Sequence, residues 1–289
     1  MDFEAFVQDI QERRLQVYGV EVYEDGLLAQ HWGDTGGLHE IYSATKTILS
    51  IAIGIAWDEG RIDLDAPVAR YLPAEKVRSL PASQRAAYEL ITVRRLLTMS
   101  VPGLPFRAAG ESWLDFSLSR KIAEPERRVF NYSNISAYLA GVCLANALGG
   151  DAGAFVEKRI FAPLQIASYE YMRCSDGYFY GASGVRLSVH DMSKIGLLLY
   201  NGGTYGGARI VSEDYVARAT SVQQMNREGG YGFFIWKYRD GCSINGKWGQ
   251  KCYVLPAQKL VVSFLSHLEE GSDVLVASME RHVLGAGGC

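Results

Sequence analysis

Apolar residues recur at helical spacing in the first fourteen positions, where Phe3, Phe6, Val7 and Ile10 share one side of the chain. This periodicity predicts an amphipathic helix. The next segments, VYGVEVY and LLAQHW, are short, rich in β-formers and divided by Asp25-Gly26, which predicts a hairpin. The pattern returns near the other end. YGFFIWKY and the residues after Asp240-Gly241 read as a second hairpin, with INGKWGQKCYVLP as one strand, and KLVVSFLSH reads as a further strand beyond a turn at Pro256. A closing helix is expected from about Ser272. Between these ends, residues 43 to about 201 read mostly as helices and loops.

Five strands at the two ends of the chain, each set flanked by a helix, predict an α+β protein with one five-stranded antiparallel sheet flanked by helices. On this reading residues 1–60 and 190–289 form the sheet domain, and residues 61–189 form a mainly helical inserted domain. The cleft between two such parts is the expected place for a substrate.

The longest apolar run, residues 47–57, covers eleven positions, about half of what a bilayer crossing needs. It is expected to be a buried core helix, with no membrane association. The composition of 48% apolar and 21% charged residues in 289 is that of a folded globular chain. The net charge of −3 comes with no basic stripe, so nucleic acid is not an expected partner. The opening MDFEAFVQDIQERR carries acids where a signal peptide carries positive charge, and a cytoplasmic location is expected. The cysteines Cys143, Cys174, Cys242, Cys252 and Cys289 are odd in number and form no CxxC pair, which suits a reducing compartment.

Candidate chemistry starts at the head of the apolar run. Ser43 and Lys46 lie three positions apart, one helical turn, and so share a face. A serine hydroxyl needs a base, and a lysine serves as one only when its pKa is drawn toward neutrality. The apolar body formed by Ile48, Leu49, Ile51, Ile53 and Ile55 desolvates the ammonium and favours the neutral amine. The blander reading is a helix cap with a solvated lysine.

A second element is Tyr132-Ser133-Asn134, where a loop gives way to an amphipathic helix. A phenol beside a lysine can carry a proton to a leaving group, and an asparagine amide can hold a substrate carbonyl. The competing reading is a core tyrosine with a capping asparagine. A third is Lys247-Trp248-Gly249. Its glycine would let substrate approach the strand, and its lysine would depress the pKa of Lys46 by like-charge repulsion.

Other schemes fit less well. Residues 241–247 match GxxxxGK, but Trp248 stands where a phosphate-binding loop has Ser or Thr. There is no GxSxG or HExxH, and His31, His39, His190, His267 and His282 lack ligand spacing. The acids Asp58, Glu59, Asp63 and Asp65 read as a solvated turn, and no metal or cofactor is expected.

With Ser-x-x-Lys, Tyr-x-Asn and Lys-Trp-Gly in that order, the chain resembles the penicillin-recognising serine hydrolases, closest to class C β-lactamases, D-alanyl-D-alanine carboxypeptidases and related esterases. The likeness extends over YSATKTILSIAIGIAWDEGRIDLDAPVARYLP, ITVRRLLTMSVPGL, FNYSNISAYLAGV and GASGVRLSVHDMSKIGLLLYNGGTYGGARIVSEDYV. It implies a β-lactamase/transpeptidase-like fold. It also implies Ser43 as acylated nucleophile, Lys46 as proton acceptor, Tyr132 as partner acid and base, and Asn134 as a substrate-amide ligand. Lys247 and Gly249 would match the family's Lys-Thr-Gly strand, and the oxyanion hole would combine the N–H groups of Ser43 and Gln250. Trp248, in place of a small hydroxyl residue, points away from ordinary β-lactam recognition. The expected activity is cleavage of a small ester, amide or peptide through an acyl-enzyme on Ser43. The alternatives are a D-alanyl-D-alanine carboxypeptidase or β-lactamase, or a non-hydrolytic sensor with the same pocket.

Overall fold

The computed structural model describes residues 1–285; Cys289 lies outside the described residues. Strands β1 (Val17–Glu24) and β2 (Leu27–Gly33) come from the N-terminal end of the chain. Strands β3 (Trp236–Tyr238), β4 (Gly241–Gly246), β5 (Gln250–Leu255) and β6 (Leu260–Ser266) come from the C-terminal end. They pair in the order β2-β1-β6-β5-β4-β3, antiparallel throughout. The two ends meet where Val20 faces Phe264 and Val22 faces Val262.

Alternation along these strands sorts side chains between two layers, because successive residues of a strand point to opposite faces. Val20, Val22, Tyr253, Leu255, Val262 and Phe264 pack on helices α1 (Phe3–Glu12) and α5 (Ser272–His282) through Phe6, Ile10, Leu275 and Met279. Cys252, Val254, Val261 and Leu265 join the larger core on the other face. That core also takes in α2 (Thr45–Asp58), α3 (Asn134–Leu148) and α4 (Val189–Tyr200). Both terminal helices therefore form where their periodicity predicts.

The sheet has one strand more than its sequence pattern suggests. INGKWGQKCYVLP is two strands and a turn, because the chain reverses at Lys247-Trp248-Gly249 between β4 and β5. Trp248 at φ +62° and Gly249 at φ +82° occupy the left-handed region, which a continuous strand cannot hold. Lys-Trp-Gly lacks the Asn-Gly or Asp-Gly signature by which such turns are recognised. YGFFIWKY is likewise shorter as a strand than its pattern implies, being broken by Phe234 at φ +57°.

Helix α2 sets the position of the site. Ile48, Leu49, Ile51, Ile53 and Ile55 are each at most 2% exposed. Burial of such side chains contributes roughly 1.5–3 kcal/mol apiece, enough to hold one ionisable side chain out of water. Among the described residues no single helix is long and apolar enough to cross a membrane.

Candidate active site

Ser43 lies in a short 3-10 turn, Tyr42–Ala44, immediately before α2, and Lys46 lies in the first turn of α2. No side chain caps this helix start, so the hydroxyl of Ser43 is not spent as a cap. Lys46 is 1% exposed. Its Nζ is 3.0 Å from Ser43 Oγ, 2.7 Å from Asn134 Oδ1 and 2.8 Å from the carbonyl oxygen of Ala182. Burial lowers the Lys46 pKa from its ordinary value to about 7. A neutral amine has two N–H groups and one lone pair. With the N–H groups donated to Asn134 and Ala182, the lone pair is left for the Ser43 hydroxyl, the geometry a general base requires.

Asn134 is available because its neighbour does the capping. Ser133 Oγ accepts the Ile135 N–H at the start of α3 and donates to the Pro105 carbonyl. The Asn134 backbone N–H is held by the Phe106 carbonyl at 2.7 Å. The amide side chain is thus aimed at Lys46 from the other side of the cleft, and the capping role considered for it belongs to Ser133.

Tyr132 completes the set. Its ring centroid is 5.0 Å from Lys46 Nζ. Burial pushes its phenol up to about 12, and the Ser43 hydroxyl beside it pulls the other way. At neutral pH the phenol therefore keeps its proton while the amine is partly free, which separates a proton donor from a proton acceptor within one site. The structure brings Ser43, Lys46, Tyr132 and Asn134 together.

A family model described as Beta-lactamase matches residues 3–285. The chain belongs to the β-lactamase family. Its fold is that of solved family structures: a class C β-lactamase from Rhodobacter sphaeroides aligns with TM-score 0.75 and 19% identity over 98% of this chain and 99% of the other. A D-stereospecific amidohydrolase from Streptomyces sp. aligns with TM-score 0.74 and 19% identity over 99% and 100%. A penicillin binding protein from Bacillus halodurans aligns with TM-score 0.77 and 16% identity over 95% and 99%.

In this β-lactamase-family chain the third motif sits differently from its expected place. Lys247 is exposed in the turn after β4, with its ammonium 4.1 Å from the centroid of the Trp248 ring. The lowered pKa of Lys46 comes from burial alone, so the like-charge effect assigned to Lys247 is not its cause. Gly249 faces β6, where an added Cβ would be 2.4 Å from Ser266 Oγ. Gln250 is 1% exposed. Its Nε2 donates to the carbonyls of Lys247 and Ser266, and its Oε1 accepts the Ser266 N–H. Its side chain is a brace for the turn. The glycine pressed on the serine turn is Gly246: an added Cβ would lie 2.2 Å from the Ile41 carbonyl oxygen. Beside it, β3 pairs with β4 only as far as Ser243, so residues 244–246 keep an edge that β3 does not cover.

Three features had no sequence signal. The Ala182 carbonyl is backbone, and no residue type announces it. Tyr180, whose phenol is raised by burial and countered by a hydrogen bond with Asn134, is one of seventeen tyrosines. The aromatic wall around Tyr132, built from Phe106, Phe130, Tyr231 and Trp236, is drawn from three distant segments.

Proposed function

We infer that the protein is a serine hydrolase that cleaves an ester or amide through an acyl-enzyme on Ser43. The observation that carries this reading is the buried Lys46 amine, whose hydrogen bonds join Ser43 to Asn134 and Ala182. Lys46 takes the Ser43 proton as Oγ attacks the substrate carbonyl carbon. The carbonyl π electrons move onto oxygen, then return as the bond to the leaving group breaks. Tyr132 donates its proton to the departing oxygen or nitrogen and recovers one from Lys46. Water then adds to the acyl carbon by the same route, and Ser43 leaves with a proton.

The N–H groups of Ser43 and Lys247 serve as the oxyanion hole in this scheme, Lys247 replacing Gln250. Gly246 supports the choice, since its contact with the Ile41 carbonyl brings the next N–H beside the serine turn. Asn134 retains its expected second role as a ligand for the substrate amide. Family membership supports a hydrolase, and the names of the solved relatives range from β-lactamase to amidohydrolase.

Intact mass spectrometry after incubation with para-nitrophenyl acetate or a fluorophosphonate tests the reading. The expected result is one adduct per chain that disappears in Ser43→Ala; unchanged turnover in that variant overturns it. Stoichiometric loading without turnover, on esters, D-amino peptides and nitrocefin alike, would support the sensor reading instead.

A further inference from the structure

The two acceptors that orient the Lys46 amine come from different parts of the chain, Asn134 from the first turn of α3 and Ala182 from the loop that precedes α4. A partly buried carboxylate on that loop, Asp176, ties the two sources together. Its Oδ2 accepts the Tyr138 phenol at 2.9 Å. Tyr138 is four positions beyond Asn134 on α3, so the two share a face of the helix. Oδ2 also accepts the N–H groups of Trp113 and Leu114 at 2.8 and 3.0 Å, and Oδ1 accepts the Ser112 hydroxyl at 2.7 Å. The start of the helix Trp113–Ser119 is thereby fixed to the same carboxylate. All four donors are neutral, and Lys76, a cation whose charge Asp176 supports, is itself paired with Asp115 at 2.6 Å. The loop can pass this anchorage on to Ala182. Its base is closed by the Met172 N–H on the Gly184 carbonyl at 3.0 Å and the Tyr180 N–H on the Met172 carbonyl at 2.9 Å. Between Asp176 and that base, Tyr180 is 7% exposed and lies edge-on to Trp113 at 4.9 Å, and Trp113 lies edge-on to Tyr138 at 6.2 Å.

We propose that Asp176 is a positioning residue for acyl transfer, holding the Ala182 carbonyl and the Asn134 amide at one fixed spacing around the Lys46 amine. The role rests on the acyl-enzyme reading above. Asp176 acts at a distance, through the loop and through α3, and its hydrogen bonds are charge-assisted and so stronger than those of a neutral acceptor. Without them the loop is free to move off α3, Ala182 recedes from Nζ, and water reaches an amine that is otherwise 1% exposed. Two consequences follow for the base. Its lone pair is no longer held on Ser43 Oγ, which slows proton transfer. Burial, the cause of its lowered pKa, is relieved, so the amine stays protonated to higher pH.

Asp176→Asn tests this, because the amide sets an NH2 group among donors that need an acceptor. Burst release of nitrophenolate from para-nitrophenyl acetate, followed across the pH range, is the measurement. Acylation is expected to fall by ~10 to 10²-fold and its pH midpoint to rise by at least ~0.5 unit, with a burst still close to one per chain. Tyr138→Phe deletes only the hydrogen bond to α3 and should move the midpoint the same way by a smaller amount. Ser112→Ala removes a bond of the helix Trp113–Ser119 and should leave the midpoint in place. A carboxylate that only stabilised the fold would lower the melting temperature and the burst amplitude without moving the midpoint. A native midpoint in Asp176→Asn therefore overturns the proposal, and if that variant does not fold, a native midpoint in Tyr138→Phe overturns it instead. Acetylated Ser43 with an unmoved midpoint removes the positioning role alone, whereas absence of acetyl-Ser43 in the unsubstituted protein overturns the acyl-enzyme reading and the positioning role with it.

Discussion

Lys46 Nζ and Asn134 Oδ1 lie 2.7 Å apart although 88 positions separate them, and the pair joins the first turns of α2 and α3 across the cleft. A neutral amide there accepts a hydrogen bond without adding charge. Asn134→Asp places a carboxylate against the amine, and an opposite charge at that distance favours the ammonium. The acylation pH profile is expected to move up by at least ~1 unit. Pre-steady-state release of nitrophenolate across the pH range checks this, and an unmoved midpoint refutes it.

In the unsubstituted protein, burial lowers the Lys46 pKa to about 7, and the proposed role as base requires the neutral amine. Acylation should therefore rise with pH through about 7 and level off above it. The same shift links pH to stability. Below about 7 the amine is charged in folded and unfolded chains alike, and the folded chain bears the cost of burying that charge. Between about 7 and the ordinary value of 10.5 the folded chain releases the proton first, so stability gains as pH rises. Thermal melts of the native protein and Lys46→Met should show the native protein improving relative to the variant over that window.

Gly246 and Gly249 separate chemistry from folding. A Cβ on Gly246 meets a backbone carbonyl at 2.2 Å and must push the β4 edge off the serine turn. Gly246→Ala is expected to cut acylation by ~10² to 10³, the usual loss when one oxyanion donor is misplaced. A Cβ on Gly249 meets the Ser266 hydroxyl at φ +82°. Gly249→Ala should cost at least ~1–2 kcal/mol of stability, the usual strain of a side chain in the left-handed region, and change acylation only a few-fold. Paired denaturation and burst measurements distinguish the two, and equal catalytic losses would remove Gly246 from the site.

Trp248 holds the third motif together. Its ring lies edge-on to Tyr42 at 5.2 Å and 4.4 Å from His267, and its carbonyl accepts from Ser266 Oγ and the Leu268 N–H. Tyr42, at φ +47°, immediately precedes Ser43. Trp248→Ala should lower stability by about 2 kcal/mol through lost aromatic packing and slow acylation by loosening the serine turn. A variant with native acylation and native melting would show that the ring supports nothing at the site.

The catalytic candidates were legible where chemistry follows from local spacing. Ser43 and Lys46 share a face because three residues make a helical turn, and the apolar residues behind them foretell the burial that draws the amine toward neutrality. The two-ended sheet was legible for a related reason, since strand alternation is a local pattern repeated at both ends of the chain.

What only the tertiary structure decided depends on residues meeting from far apart. Asn134 reaches Lys46 because Ser133 takes over the cap, and Ala182 offers a carbonyl that carries no residue signature. The third motif shows the limit most clearly. Lys247, Gly249 and Gln250 read as one strand, yet two left-handed residues turn the chain there and bring Gly246 against Ile41. Periodicity specifies which face of an element is apolar; which backbone groups then meet across a cleft is set by the packing of whole elements on one another.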